Sequence, residues 1–450
     1  MKTLSKLNVI LFTTVLFLGG LSFFVIPRNT ISIAEKRRLA VLPALTWNSY
    51  LNGGWSDSID KYINDQFPAR LEMIDLAIHI KSMKGLYFPE EERIVVVKKP
   101  KKEIIRDITK QEIQDTVHQN FLSDYEESYS GSMLIINGGV FTLNAGSTKM
   151  SKVFSKMLNE YAHELGAGCR VFSCVPPLSS AFIPIKKYES YNRKNVATLL
   201  AIKESLSEGA IFCDVMKELN QHINEKLFFR TDHHWTPRGA YYGYVAFCKA
   251  AGIEPTPMEK MERKVKYNFL GSLYEITRDK SVKEHADTME YFIPNIETTA
   301  IRYKPNDLKK PQKSSVFCNG CSGGNSYSTF LCGDIPLIKI KTNVKNQKKA
   351  LVIKNSMGNA FSVFLISHYE EIYVLDFRYS EHNILNLIRE NEINDLIFAV
   401  GMYGAMSSGT IQRMRNLGFN NRSVHKKDVE KKDTIAIINS KLADSLKNIK

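Results

Sequence analysis

Short apolar runs alternate with longer amphipathic segments along most of the chain. Apolar runs bounded by polar residues are typical of buried strands, and apolar residues spaced three and four apart are typical of helices packed on a sheet. The predicted strands are Met133–Ile136, Arg170–Val175, Ala210–Cys213, Leu337–Ile340, Ala350–Ile353, Ile372–Leu375 and Leu396–Val400. The predicted helices are Lys152–Leu165, Asn192–Leu206, Pro237–Ala251, Ala360–His368, Asn383–Glu390 and Gly409–Leu417. This alternation predicts βαβ units and an α/β fold whose mostly parallel sheet is covered by helices on both faces.

Three segments do not follow this alternation of predicted strands and helices. An uncharged apolar run from Val9 to Ile26 follows two lysines and predicts an uncleaved signal-anchor over residues 1–27, with the remaining chain outside the cytoplasm. Residues 28–103 predict a helical connector that ends in the solvated stretch KKPKKE, and residues 104–450 the α/β domain. Within that domain, about 258–333 predicts an insertion with small β elements of its own. Thr434–Ile438 is a candidate final strand.

Composition narrows the class of protein. The 450 residues are 44% hydrophobic and 24% charged, which excludes a mostly disordered chain, a collagen-like fibre and a multi-span membrane protein. A formal charge of +14, from 61 basic and 47 acidic residues, favours anionic partners. Outside the cell these are lipid headgroups or acidic wall polymers, and not nucleic acid.

The seven cysteines have no regular spacing and predict no disulfide-dependent fold and no structural metal. Cys318 and Cys321 form a lone C-x-x-C pair, open to a tight disulfide or half of a zinc site. No second pair with matching spacing exists to complete such a site.

The densest group of reactive side chains is Asp232-His233-His234, just before the predicted helix at Pro237. Thr236 is a suitable N-cap with proline at the first helical position, so the three residues lie on the preceding loop. Residues two apart in extended backbone share a side, which places Asp232 beside His234 and turns His233 away. Such a pair suits a hydrolytic triad, although a structural histidine or a metal site remains an alternative.

A nucleophile is also present. Ser356 follows the strand Ala350–Ile353 and precedes an apolar helix, the layout by which a nucleophile elbow exposes its hydroxyl. The helix N-terminus offers backbone N–H groups, including that of Met357, to a developing oxyanion. Serine is also a common N-cap, so the motif alone is a weak signal.

The stretch TDHHWTPRGAYYGY (231–244) resembles the signature of the bacterial DHHW family and is similar to the D-x-H-W block of AlgJ/AlgX-type alginate O-acetyltransferases. Further blocks that look like the family are SIAEKRRLAVLP, FLGSLY, YSTFLCGDIPLIKI and KNSMGNAFSVFLISHYEEIYVLDFRY. The resemblance implies an SGNH-hydrolase-like three-layer α/β/α sandwich with Ser356 as nucleophile, His234 as base and Asp232 as the orienting acid. One departure is Asn355, which stands where the serine block usually has Asp.

The resemblance also implies a function and softer site residues. We expect a membrane-anchored extracytoplasmic O-acyltransferase, without a cofactor or metal, that moves an acetyl group to an exported or cell-surface polysaccharide. Its expected partner is an acyl exporter of the membrane-bound O-acyltransferase class. The alternatives are a carbohydrate acetylesterase and a non-catalytic module that binds polysaccharide or scaffolds an assembly. Expected cleft residues are Arg378, Tyr379, Trp235 and Tyr403 for substrate, with Gly333 and Met357 as oxyanion donors.

Overall fold

The computed structural model describes residues 2–25, 28, 31–32, 37–83, 92–97, 131–144, 146–207 and 209–419. Its strands are β1 (Ile31–Ser32), β2 (Arg37–Arg38), β3 (Glu92–Val97), β4 (Gly131–Ile136), β5 (Gly139–Thr142), β6 (Arg170–Ser173), β7 (Ala210–Phe212), β8 (Glu262–Phe269), β9 (Asp287–Ile293), β10 (Thr298–Lys304), β11 (Asp307–Ser314), β12 (Leu337–Thr342), β13 (Lys349–Lys354), β14 (Glu371–Asp376) and β15 (Asp395–Ala399).

The α-helices are α1 (Lys2–Val25), α2 (Trp47–Leu51), α3 (Gly54–Gln66), α4 (Arg70–Met83), α5 (Thr148–Leu165), α6 (Glu189–Ser205), α7 (Val215–Gln221), α8 (Pro237–Ala251), α9 (Ser272–Thr277), α10 (Lys280–Glu284), α11 (Met357–Ser362), α12 (Ile384–Asn391), α13 (Met402–Met406) and α14 (Ser408–Phe419). All seven predicted strands and all six predicted helices coincide with elements of the structure. The helix predicted over Ala360–His368 is in fact α11 followed by a 3₁₀ segment at Val363–Ser367.

An eight-stranded mixed sheet forms the centre of the protein, in the order β11-β10-β12-β14-β13-β15-β6-β7. The five strands from β14 to β7 are parallel to one another. The remaining three, β12, β10 and β11, extend the sheet antiparallel at one edge. The expected α/β fold is therefore confirmed, with a sheet that is mixed.

Both faces of the sheet are buried. In β13, Ala350 and Val352 pack into the core cluster that includes α8, while Leu351 and Ile353 pack into the cluster that includes α5, α12 and α14. Because side chains alternate along a strand, a continuous apolar run is what a sheet covered on both faces requires. Because apolar clusters cover both faces of the sheet, polar groups can lie at the ends of its strands.

The region predicted as an insertion divides between two sheets. Strands β8 and β9 pair with each other outside the main sheet, as expected of a separate β element. Strand β10 pairs instead with β12, so β10 and β11 belong to the main sheet. A further antiparallel sheet, β3-β4-β5, lies upstream.

The helix that follows the candidate histidines begins and ends where the sequence predicts. The Thr236 hydroxyl accepts a hydrogen bond from the Gly239 N–H at 3.1 Å, with Pro237 at the first helical position. Gly252 ends α8 in the left-handed conformation, with φ of +70°. These caps fix the entry of the chain into α8 and hence the loop before it.

None of the helices in the described residues is long and apolar enough to cross a bilayer. The stretch KKPKKE and the candidate strand Thr434–Ile438 lie outside the described residues.

The structure holds a disulfide between Cys318 and Cys332, whose Cα atoms are 5.1 Å apart. The pairing of Cys318, left open in the sequence, is therefore with Cys332, and Cys321 is a half-buried free thiol. Whether the fold depends on this disulfide stays a prediction. Cys318 and Cys321 are close in the sequence, but the partner of Cys318 lies 14 positions further along, at the other end of a loop that returns to it.

Candidate active site

Ser356 stands at the carboxyl end of β13, in the turn that leads into α11. Gly358 packs so closely that a Cβ atom there would lie 2.5 Å from the Lys354 Cβ and 2.7 Å from the Ala399 carbonyl oxygen. The strand, turn and helix are thus compressed, as in a nucleophile elbow. Ser356 is half-buried, and its side chain makes no capping hydrogen bond to α11.

Asn355 stabilises this turn. Its Oδ1 accepts hydrogen bonds from the backbone N–H groups of Met357 at 3.2 Å and Gly401 at 3.1 Å. Gly401 opens the loop after β15, so one amide oxygen joins the ends of two neighbouring strands. An amide oxygen and a carboxylate oxygen are equivalent acceptors for these two donors, which explains how Asn serves where the family usually has Asp.

The loop between Phe228 and Trp235 closes as a small hairpin that presents Asp232 and His234. The His234 Nδ1 lies 2.5 Å from Asp232 Oδ1, and both side chains are almost fully buried. The predicted contact between these two residues is confirmed. The prediction that His233 faces away is wrong, since its Nδ1 lies 3.7 Å from the same carboxylate oxygen.

The Asp232 carboxylate is held by four donors. Its Oδ1 also accepts the His234 backbone N–H at 3.0 Å, while Oδ2 accepts the backbone N–H and the hydroxyl of Ser272 at 2.8 and 3.0 Å. A Cβ atom on the neighbouring Gly271 would lie 2.3 Å from Oδ2, so only glycine fits there. The role of Ser272 has no sequence signal of its own, although the residue lies in the family-like block FLGSLY.

Two contacts orient the His234 ring and leave its second nitrogen without a partner among the described residues. Its Nδ1 bonds to Asp232, and its face stacks on Tyr327 with ring centroids 3.9 Å apart and an interplanar angle of 11°. Its Nε2 is buried and has no hydrogen-bond partner among the described residues. An imidazole whose Nδ1 is bonded to a carboxylate presents its Nε2 as a proton acceptor.

Tyr327 was not predicted as a site residue. Burial, together with the nearby carboxylates of Asp232 and Asp334, raises the pKa of its hydroxyl well above the usual value. The phenol therefore stays neutral, and its ring forms an uncharged platform beneath the imidazole.

A direct hydrogen bond connects the two predicted loops. The Trp235 indole N–H donates to the Met357 carbonyl oxygen at 2.9 Å. Trp235 follows His234, and Met357 follows Ser356, so the loop that holds the imidazole is bonded to the turn that holds the hydroxyl. Trp235 is only 1% exposed, which gives its ring a packing position in this structure and no surface on which to stack a sugar.

A buried charged network lies behind the turn. Lys354 and Arg378 each contact Asp376 at 2.7 Å, and they contact Asp334 at 3.3 and 3.0 Å respectively. Asn359 of α11 also donates to Asp334 at 2.9 Å. Arg378, expected to bind substrate, thus uses its guanidinium to bridge two carboxylates, and its role toward substrate stays a prediction.

The remaining expected site residues line the same end of the sheet. The Gly333 N–H donates to the Phe330 carbonyl oxygen at 3.0 Å, and the Met357 N–H donates to Asn355, so both expected oxyanion donors are engaged within the protein. Tyr379 is buried just beyond β14. Tyr403 lies in α13, where burial raises the pKa of its hydroxyl to about 12.

Asp232, His233 and His234 also offer ligand atoms within 4.8 Å of one another, a grouping that can hold a metal ion. Both carboxylate oxygens, however, already accept backbone N–H groups, from His234 and Ser272. The hydrogen bonding therefore favours an imidazole–carboxylate pair over a metal centre at this position.

Comparison with known proteins identifies a family that the chain resembles. The family model described as DHHW protein matches residues 91–375. The crystal structure of a DHHW family protein from Eubacterium siraeum DSM 15702 is 30% identical, covering 64% of this chain and 95% of that chain with a TM-score of 0.58.

A more distant structure, that of PatB1, shares the fold alone. PatB1 of Bacillus cereus, solved with a sulfonyl adduct, is 18% identical over 62% of this chain and 97% of that chain, with a TM-score of 0.51. The O-acetyltransferase domain of Pseudomonas putida AlgJ is 12% identical over 62% and 96%, at a TM-score of 0.33, a likeness too weak to support an inference. No curated protein matches the chain. Since the family model spans more than half of the 450 residues, the chain belongs to the DHHW family.

Proposed function

We propose that this DHHW protein is a serine-dependent, SGNH-like O-acyltransferase that modifies an exported or cell-surface polysaccharide, with acetyl as the group transferred. The observation that carries the proposal is the His234 ring, whose Nδ1 is bonded to a buried carboxylate and whose Nε2 has no partner among the described residues. The bond from Trp235 to Met357 supports its proximity to Ser356.

The proposed reaction has two halves. The Ser356 Oγ attacks the carbonyl carbon of an acyl ester while His234 Nε2 takes the hydroxyl proton. His234 then returns that proton to the leaving oxygen of the donor, and an acyl-serine remains. In the second half a sugar hydroxyl attacks the acyl-serine, its proton passes to His234, and Ser356 recovers it as the acylated sugar leaves. Water in place of the sugar makes the same site an acetylesterase.

Location outside the cytoplasm and an acyl exporter as donor are parts of the same proposal. The disulfide Cys318–Cys332 supports an oxidising compartment, because cytosolic thiols are kept reduced. The formal charge of +14 suits an anionic polymer or membrane surface. Protease treatment of intact cells tests the location: digestion of residues after the first 27 is expected, and full protection would contradict it.

The chemistry is tested with a sulfonyl fluoride and an activated ester, since neither requires the natural donor. Phenylmethylsulfonyl fluoride should add one sulfonyl group at Ser356, read by intact and peptide mass, and p-nitrophenyl acetate should give p-nitrophenol. Ser356→Ala and His234→Ala should lose both reactions. The matched control is Ser362→Ala, a serine of the helix that follows Ser356, whose hydroxyl donates to the Gly358 carbonyl oxygen.

A specific observation favours a second candidate, a non-catalytic polysaccharide-binding or scaffolding module. Both expected oxyanion donors, at Gly333 and Met357, are already used within the protein. If wild type and Ser356→Ala react with both probes at the same background rate, the module is the better description, and the acyltransferase proposal fails.

A further inference from the structure

The proposed chemistry does not use Asp334, a carboxylate at the same end of the sheet. It follows the disulfide loop, residues 318–332, and precedes β12. Its Oδ1 accepts Asn359 Nδ2 at 2.9 Å and lies 3.3 Å from Lys354 Nζ, while its Oδ2 lies 3.0 Å from Arg378 Nη2. Asn359 stands three residues after Ser356 in the chain, so Asp334 is bonded to the helix that follows the nucleophile.

Asp334 is ionised at neutral pH. Burial opposes its charge, but the Arg378 guanidinium and the Lys354 ammonium hold the pKa of Asp334 well below its usual range. The same two cations contact Asp376, so the network contains two positive and two negative groups. Such a balanced arrangement tolerates burial, whereas loss of one member leaves an uncompensated charge.

Asp334 is also one of the groups that interact with the imidazole. Its carboxylate interacts electrostatically with His234. The others are Asp232, bonded to Nδ1, the His233 ring, whose centroid is 3.7 Å from that of His234, and the Tyr327 ring, which stacks on His234. Asp232 and Asp334 are the anionic groups in this set, and His233 is the other group able to carry positive charge.

The backbone before Asp334 is strained. Leu331, Cys332 and Gly333 have φ angles of +58°, +59° and +93°, a left-handed run that leucine and cysteine adopt only at a cost. Leu331 is 1% exposed, and Cys332 is covalently bound to Cys318. The surrounding structure therefore holds this segment in one conformation, and strain of this kind concentrates at functional sites.

We propose that Asp334 is a positioning residue for the acyl transfer: its bond to Asn359 holds the helix behind Ser356, and its charge stabilises His234 when that ring carries the serine proton. The inference rests on the proposed function. It assigns a second carboxylate to the site, which acts through space on the base and through Asn359 on the nucleophile.

The test is the pH dependence of Ser356 sulfonylation by phenylmethylsulfonyl fluoride in the full chain. Removing a nearby negative charge disfavours the protonated imidazole, so the acidic limb of the rate profile in Asp334→Asn should move to lower pH by about half a unit to one unit. The rate on the plateau should fall about tenfold. In Asn359→Ala the helix loses its tether while the charge stays, so the rate should fall and the limb should not move.

Asp376→Asn is the matched control, because it removes one charge from the same network and keeps the Asp334 carboxylate, which interacts electrostatically with His234. It should lower the unfolding temperature about as much as Asp334→Asn and shift the limb by much less. An Asp334→Asn limb that coincides with wild type, or an equal shift in Asp376→Asn, overturns the proposal. If Asp334→Asn does not fold, a wild-type rate in Asn359→Ala overturns it instead.

The two proposals fail in different ways. If the wild-type protein is not sulfonylated at Ser356, or if its labelling does not need His234, the proposed function is refuted. If labelling of the wild-type protein needs His234 but Asp334→Asn gives the same pH profile, only the proposed role of Asp334 is refuted.

Discussion

Asp232→Asn is the substitution for which the structure gives the clearest expected result. The carboxylate accepts four hydrogen bonds, two from His234 at Oδ1 and two from Ser272 at Oδ2. An asparagine amide has one acceptor oxygen and one NH₂ donor, so one of these two sets must face a donor. Each set contains a backbone N–H, and one buried N–H therefore loses its partner in either orientation.

The cost to stability and the cost to catalysis have different origins. An unpaired buried N–H costs about 1–3 kcal/mol of unfolding free energy. If the NH₂ group faces His234, it donates to Nδ1, which moves the ring proton to Nε2 and removes the base. A triad with the wrong tautomer loses about 10⁴-fold in turnover, equivalent to roughly 5.5 kcal/mol in the barrier.

Asp287→Asn is the matched control because it makes the same chemical change at the base of the same loop. Asp287 is 5% exposed and accepts the Arg230 N–H and the Thr231 N–H and hydroxyl, at 3.1, 2.8 and 2.7 Å. Burial raises the pKa of Asp287. Within the described part of the chain, its hydrogen bonds go to Arg230 and Thr231 and not to the imidazole. It should lose similar stability and keep p-nitrophenyl acetate hydrolysis within about tenfold of wild type.

The assays are urea unfolding for the free energy and initial rates of p-nitrophenol release for activity, measured on protein that is shown to be folded. Asp232→Asn with hydrolysis within tenfold of wild type would refute the tautomer argument. A loss in Asp287→Asn as large as in Asp232→Asn would mean that the loop conformation, and not the ring proton, decides the rate.

Two further predictions concern the frame of the site. Gly271→Ala places a Cβ atom 2.3 Å from Asp232 Oδ2, so hydrolysis should fall at least about tenfold, with about 1–3 kcal/mol less stability measured by urea unfolding. Removing the disulfide by Cys318→Ser with Cys332→Ser should cost about 3 kcal/mol, since the bond closes a segment with a separation of 14, whereas Cys321→Ser should leave the unfolding midpoint unchanged.

The fold was predictable where local chemistry decides the element. Helix α8 occupies the predicted range Pro237–Ala251 because Thr236 caps its start and the left-handed Gly252 ends it. The buried strands of the parallel sheet were visible for a similar reason, since both of their faces are covered and their apolar runs are continuous.

Strands β10 and β11 could not be predicted from the sequence pattern in this way. Strand β11 reads DLKKPQKS and is exposed along almost its whole length, with a proline and several lysines at the edge of the sheet. Edge strands of natural proteins carry such residues to prevent pairing with other chains, and this removes the pattern that identifies a strand. Their position beside β12 follows from tertiary packing, which the sequence pattern does not encode.

The residues of the candidate site also differ in whether the sequence could predict them. Asp232 and His234 are two residues apart, so their contact follows from local geometry and was predictable. Ser272, Tyr327 and Asp334 come from segments 38 to 100 residues further along. Only the folded structure brings Ser272 to Asp232, and Tyr327 and the charge of Asp334 to His234. Each is a common residue type without a spacing signal, and the strained backbone that carries Asp334 has no sequence signature beyond Gly333.

The four residues of the family signature form one bonded unit in this chain. Asp232 is the shared acceptor, His234 takes the bond to its ring nitrogen, and His233 stays beside them through a 2.8 Å contact between its Nδ1 and the Ser272 hydroxyl. That hydroxyl also donates to Asp232, so the first histidine supports the carboxylate that orients the second.

Trp235, the last residue of the signature, joins this unit to the nucleophile turn. Its indole N–H reaches the Met357 carbonyl oxygen, across 122 positions of the chain. The ring lies so close to α8 that a Cβ atom on Gly243 would be 2.7 Å from it, which fixes the indole against the helix that follows the loop. A movement of the His234 loop would therefore break either this packing or the bond to the Ser356 turn. The tryptophan thus explains how two loops that are distant in sequence keep a constant relation, as the proposed proton transfer between their side chains requires.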